Sequence, residues 1–106
     1  MNRIDCIREH LPVEELLAQL AEEAAELSQA ALKLRRVYDG RNPTPVKASE
    51  AFASLREELA DVRLCAQVLG LNQSQVEQDK IIDSKLTRWC DRLREADAGG
   101  VARGED

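Results

Sequence analysis

Apolar residues recur every three or four positions along two long stretches of this chain. In the first stretch they are Val13, Leu17, Leu20, Ala24, Leu27, Ala31, Leu34 and Tyr38. In the second stretch they are Phe52, Leu55, Leu59, Val62, Ala66 and Leu69. Alternating steps of three and four residues are typical of one stripe of an amphipathic helix. The pattern therefore predicts two long helices, over about residues 13–39 and 45–69.

The residues between these helices predict how the two are connected. Gly40 is a typical C-terminal stop, and Thr44-Pro45 combines a capping residue with a proline that suits a first helical turn. The connection is too short for anything but an antiparallel return. We therefore expect a helical hairpin.

A third helix and a short N-terminal helix complete the predicted elements. The third covers about residues 73–96, and the short one covers residues 2–10 before Pro12. Two capping patterns compete for the start of the third helix, Asn72 with Gln75 or Ser74 with Glu77. We predict one helical domain over residues 1–97 and a disordered tail over residues 98–106, which has little apolar surface to bury.

The composition indicates that the hairpin is not closed by its own two helices. Hydrophobic residues make up 43% of the 106 residues but aromatic residues only 3%, so leucine, alanine and valine must form the core. One apolar stripe per helix does not cover both helices of a pair. The predicted fold is therefore all-α, an antiparallel helical bundle completed by oligomerisation as a homodimer or homotetramer.

Two similar acidic fragments lie along the apolar stripes. Glu23 and Glu26 are three residues apart in the first helix, and Glu58 and Asp61 repeat that spacing in the second. Each pair lies on the same flank of its own stripe, with Glu23 and Glu58 nearer to the stripe. In an antiparallel hairpin equivalent flanks face each other. Position 42 is the midpoint both of 23 and 61 and of 26 and 58, so the four carboxylates are expected at one level.

Four converging carboxylates repel one another unless something neutralises them. A hard divalent cation does this, and a site made of oxygen ligands alone favours magnesium, with manganese as a second choice. The spacing therefore predicts a metal site at Glu23, Glu26, Glu58 and Asp61.

These motifs give the chain a family resemblance. Glu23-x-x-Glu26 within Leu-Ala-Glu-Glu-Ala-Ala-Glu-Leu, followed by Glu58-x-x-Asp61 within Glu-Glu-Leu-Ala-Asp-Val, resembles the MazG-like all-α nucleoside triphosphate pyrophosphohydrolases. The resemblance covers about residues 13–93. It implies Mg²⁺-dependent hydrolysis of a (deoxy)nucleoside triphosphate to the monophosphate and pyrophosphate, as housecleaning of the nucleotide pool. The four carboxylates would then be the catalytic and metal-binding residues.

The resemblance also implies a phosphate contact from the last helix. Lys85 and Arg88 match the basic residues that assist the phosphate chain in this family, and Arg92 continues the same basic face. The competing interpretation is a solvated face with pairs such as Lys85 with Asp83.

Charge and cysteine content limit the other possibilities. The net charge of −5 argues against a broad surface for a nucleic acid polymer. The three cysteines lack zinc-like spacing, and there is neither a signal peptide nor an apolar run of membrane length, so we expect a cytoplasmic protein with no membrane partner. Two alternatives stay open: a non-catalytic helical assembly module, or a relative specific for phosphoribosyl-ATP, dUTP or dCTP.

Overall fold

A computed structural model of the chain describes residues 2–40 and 45–99. Throughout these residues the regular structure is helical, with no strand, which confirms the all-α class. The helices are α1 (Arg3–His10), α2 (Val13–Asp39), α3 (Ala48–Val68) and α4 (Gln75–Ala98). Most of the predicted tail, residues 100–106, lies outside the described residues.

Three helix ends have local causes that are visible in the sequence. The Asn2 side chain accepts a hydrogen bond from the Asp5 amide at 2.8 Å and caps α1. Ser74 Oγ accepts from the Glu77 amide at 3.3 Å, so α4 uses the second of its two possible capping patterns. Gly40 ends α2 with φ of 70°, a left-handed conformation that a residue with a Cβ rarely adopts.

The start of α3 differs from the prediction. The helix begins at Ala48 rather than near Pro45, which lies in a bend three residues earlier. Lys47 occupies the N-cap position and makes no side-chain capping bond. Thr44, the predicted cap, lies outside the described residues.

The chain divides into two compact units, Met1–Leu71 and Asn72–Asp106. In the first unit α2 packs along α3, and α1 contacts α3. Arg8 makes part of this second contact, because its Nε donates to the Val68 carbonyl at 2.7 Å and its Nη2 to the Gln67 carbonyl at 3.3 Å. A cation at the C-terminal end of a helix satisfies free carbonyl groups and complements the helix dipole.

The contact between α2 and α3 is rotated relative to the predicted stripes. The buried or half-buried residues of α2 are Leu16, Leu20, Glu23, Leu27, Ala30, Lys33, Leu34 and Val37. The buried or half-buried residues of α3 are Ala48, Ala51, Leu55, Glu58, Val62, Cys65, Ala66 and Val68.

Several residues of the predicted stripes are exposed instead. Leu17 is 51% exposed, Tyr38 70%, Phe52 39% and Leu59 47%. The apolar surface of each helix is wider than one partner helix covers, so only part of it enters the contact. The exposed remainder runs along one edge of the hairpin and is called the apolar edge below; its residues are Val13, Leu17, Ala24, Ala31, Tyr38, Phe52 and Leu59.

The second unit consists mainly of α4. Its large apolar side chains are all exposed, namely Val76, Ile81, Ile82, Leu86, Trp89 and Leu93. Among the described residues, no helix combines the length and the apolar character needed to cross a bilayer.

Candidate metal centre and adjoining cleft

Three of the four predicted carboxylates meet between α2 and α3. One oxygen each from Glu23, Glu26 and Glu58 lies within 4.8 Å of the others. Asp61 is outside this group of three but close enough to Glu23 for its charge to affect that carboxyl. The order of burial is the predicted one, with Glu23 and Glu58 half-buried and Glu26 and Asp61 exposed. We call these four side chains the carboxylate cluster.

Two oxygens of the cluster are buried without a hydrogen-bond partner within the described parts of the chain. Glu23 Oε2 and Glu58 Oε2 both have this property, whereas Glu23 Oε1 accepts a 2.9 Å hydrogen bond from Gln19 Nε2. Leaving a buried polar atom unpaired is unfavourable, and such atoms in folded proteins generally have a partner. Both carboxylates belong to the group whose oxygens lie within 4.8 Å of one another, so one cation between them would give both oxygens a partner.

The electrostatics of the cluster are those of crowded negative charges. Burial raises the pKa of Glu23, the charge of Glu26 raises it further, and the hydrogen bond from Gln19 partly offsets both, while Asp61 adds a smaller repulsion. Burial also raises the pKa of the Cys65 thiol, with added repulsion from Glu23 and Asp61. Cys65 therefore stays a neutral thiol beside the cluster, a neighbour that the sequence pattern did not indicate.

The donor set suits a hard divalent cation. The converging groups are carboxylates, the ligands that Mg²⁺ and Mn²⁺ favour. Magnesium holds its oxygen ligands about 2.1 Å away in octahedral geometry, so neighbouring ligands of one ion are about 3 Å apart. The three oxygens lie within 4.8 Å of one another, so they would draw closer together to share one ion. Glu23, Glu26 and Glu58 thus fit a metal, with Asp61 adjacent.

An open cleft of about 670 Å³ adjoins the carboxylate cluster. Glu26 and Glu58 line it together with Lys33, Arg36 and Ser54. Ala30 and Ala51 also line it, and their small side chains leave the space open. The only signal of this cleft in the sequence is the pair of seven- and ten-residue spacings that place Lys33 and Arg36 on the flank of Glu26.

Lys85 and Arg88 lie on α4 in the second compact unit. Both side chains are exposed. Arg88 shares a shallow surface depression with Asp91, Arg92 and Glu95. Their predicted contact with phosphate stays a prediction.

Comparison with known protein families, with curated proteins and with solved structures finds no match to this chain.

Proposed function

We propose that this protein is a Mg²⁺-dependent nucleoside triphosphate pyrophosphohydrolase. The observation that carries the proposal is the convergence of Glu23, Glu26 and Glu58 within 4.8 Å, with two buried oxygens that lack a partner in the described chain. In the reaction a water oxygen bonds to the α-phosphorus and the bond to the α–β bridging oxygen breaks. Pyrophosphate leaves with that electron pair, a nucleoside monophosphate remains, and one proton is released. This activity suits housecleaning of the nucleotide pool.

The four carboxylates have the role of holding Mg²⁺, or Mn²⁺ in its place. When bound, the ion supplies neutralisation of phosphate charge and lowers the pKa of water. Gln19 orients Glu23 by donating to its Oε1, which leaves Oε2 directed to the ligand. Glu23 and Glu58 are half-buried in the helix contact, where side-chain freedom is restricted. Their carboxylate oxygens are therefore held in place as metal ligands.

The resemblance adds Lys85 and Arg88 as contacts to the phosphate chain. In that role they stabilise the charge that shifts to the leaving pyrophosphate. Both are exposed in the second unit, so their cationic groups are available to an anion.

We also propose that the working form is a homodimer or homotetramer. The support is the exposed apolar surface: Leu17 and Leu59 on the apolar edge are 51% and 47% exposed, and Trp89 and Leu93 on α4 are 59% and 58% exposed. Burying apolar surface at about 25 cal/mol per Å² favours association. A second copy supplies matching helices of the same apolar character.

The test of the proposed activity is an assay for pyrophosphate release from a panel of nucleoside triphosphates, with Mg²⁺ and with EDTA. We expect Mg²⁺-dependent release from at least one nucleotide and its loss in Glu26→Gln. Glu22→Gln is the matched control, because Glu22 is exposed on the same helix but outside the three converging carboxylates.

Two results would redirect the proposal. If no nucleotide yields pyrophosphate and Mg²⁺ does not change the melting temperature, the helical assembly module is favoured. Release only from phosphoribosyl-ATP, dUTP or dCTP, when these are included in the panel, would identify a specialised relative.

A further inference from the structure

We propose that the cleft beside the carboxylate cluster binds the phosphate chain of the nucleotide, with Lys33 and Arg36 as its cationic contacts. This inference rests on the proposed function and deepens it, because it adds a surface of the first unit to the phosphate contacts proposed above. It adds two residues to the substrate site that neither the acidic motifs nor the basic face of α4 contain.

The charges of the cleft change sign along its length. Glu26 and Glu58 line it together with Lys33 and Arg36. Lys33 is seven residues after Glu26 on α2 and Arg36 is ten, which corresponds to about 10 Å and 15 Å along the helix axis. A metal-neutralised acidic end beside a cationic end fits a polyanion that extends from the cluster along α2.

Within residues 2–40 and 45–99, no acidic side chain holds the cations of the cleft. Among the residues that the structure describes, neither Lys33 nor Arg36 forms an ion pair, whereas Arg8 lies 4.0 Å from Asp5. Lys33 is half-buried and Arg36 is exposed, and both line the cleft. A cation without a carboxylate partner, in a concave surface, is available to a phosphate oxygen.

The shape of the cleft gives a phosphate chain access to these cations. Ala30 and Ala51 line it from opposite helices, and Ala51 is only 2% exposed. Ser54 and Gln29 add side-chain hydrogen-bond donors along the walls. The lining therefore combines cations and neutral donors with a small-residue floor, a chemistry that suits phosphate oxygens better than a planar apolar base.

The inference predicts thermodynamic coupling between metal and phosphate. Without a cation, the carboxylates at one end of the cleft repel a phosphate chain, and with Mg²⁺ bound that repulsion becomes attraction. Each ligand should then strengthen binding of the other by the same factor. Binding of inorganic tripolyphosphate should therefore depend strongly on Mg²⁺.

The experiment titrates the full-length protein with tripolyphosphate by calorimetry, in Mg²⁺ and in EDTA. The variants are Lys33→Gln and Arg36→Gln, with Arg35→Gln as the matched control, because Arg35 neighbours Arg36 but lies outside the cleft lining. Loss of one charge-assisted contact should weaken binding by about ten- to a hundredfold. Both cleft variants should keep the wild-type thermal shift with Mg²⁺ alone, since neither residue belongs to the carboxylate cluster.

The outcomes separate this inference from the proposed function. If wild type releases pyrophosphate but Lys33→Gln and Arg36→Gln bind tripolyphosphate as Arg35→Gln does, the cleft assignment is wrong and the function stands. If wild type neither binds tripolyphosphate with Mg²⁺ nor releases pyrophosphate, both are wrong. Mg²⁺-dependent binding that falls in both cleft variants and not in Arg35→Gln supports the inference.

Discussion

Replacing Glu58 by glutamine is the most informative perturbation of the carboxylate cluster. The substitution keeps the shape of a half-buried side chain and removes one of three charges whose oxygens converge within 4.8 Å. The substitution should raise the melting temperature relative to wild type without Mg²⁺ and lower it relative to wild type with Mg²⁺. Without the ion it relieves repulsion, and with the ion it removes a ligand.

The distance in the structure sets the size of the first effect. Two unit charges 4.8 Å apart repel by about 0.9 kcal/mol in the dielectric of water and by about 3.5 kcal/mol at an effective dielectric of 20. Glu26 is exposed, so its repulsion with Glu58 lies near the lower figure. A relief of about 1 kcal/mol raises the melting temperature of a domain of this size by about 4–8 °C. Without Mg²⁺, Glu58→Gln should therefore melt above wild type.

Mg²⁺ should reverse this order. A ligand present at a hundred times its dissociation constant stabilises the folded state by about 2.7 kcal/mol. Wild type should gain a shift of that order in saturating Mg²⁺, and Glu58→Gln should gain much less. Thermal melting at increasing Mg²⁺ concentration therefore gives two curves that cross.

The matched control is Glu57→Gln, which makes the same charge change at an exposed neighbour outside the three converging carboxylates. Its stability should stay within about 0.5 kcal/mol of wild type, with the full Mg²⁺ shift. The reasoning is refuted if Glu58→Gln and Glu57→Gln behave alike at every Mg²⁺ concentration, because Glu58 is then an ordinary polar residue of a helix flank.

Three further predictions address the rest of the molecule. In EDTA, the contribution of Glu23 to the free energy of unfolding should rise as the pH falls towards the ordinary carboxyl pKa of 4.5, because the raised pKa of Glu23 lets the folded chain bind a proton at a higher pH than the unfolded chain does. The free energy of unfolding, measured in urea, should depend less on pH in Glu23→Gln than in wild type. An equal pH dependence in the two proteins would contradict the raised pKa of Glu23. Arg88→Gln should keep its melting temperature and its Mg²⁺ shift but lose about a hundredfold in pyrophosphate release, whereas wild-type turnover would leave Arg88 on the solvated face. Sedimentation at micromolar concentration should show a dimer or tetramer, and a compact monomer would overturn the proposed assembly.

Much of the local structure follows from short-range chemistry that a sequence displays. Gly40 ends α2 and Ser74 caps α4 because each position requires a conformation or a hydrogen bond that few other residues supply. The span predicted for α2 matches Val13–Asp39, since a 27-residue amphipathic pattern has little other way to fold. The start of α3 at Ala48 was not predicted, because a proline marks a possible helix start without fixing it.

The position of the carboxylates along the axis of the hairpin was predictable for a similar reason. The rise per residue of a helix is constant, so an antiparallel return fixes which residues of α2 and α3 lie opposite one another. That is enough to bring Glu23, Glu26 and Glu58 together. The Asp61 carboxylate is outside the group within 4.8 Å, because the direction of a side chain, and not only its position along the helix axis, decides how close its oxygens come to the others.

Only the tertiary structure decided which part of each apolar surface is buried. On α2, Leu16 and Leu17 are equally apolar, yet Leu16 is half-buried in the contact and Leu17 is 51% exposed. The 3.6-residue period allows either orientation when the apolar stripe is wider than one neighbouring helix covers. The rotation that the fold adopts moves the two glutamates nearest the stripe into the helix contact and opens the cleft at Lys33. The sequence by itself determined the helices and the level of the acidic groups; the packing of α2 on α3 determined their burial, because burial depends on the neighbour and not on the period.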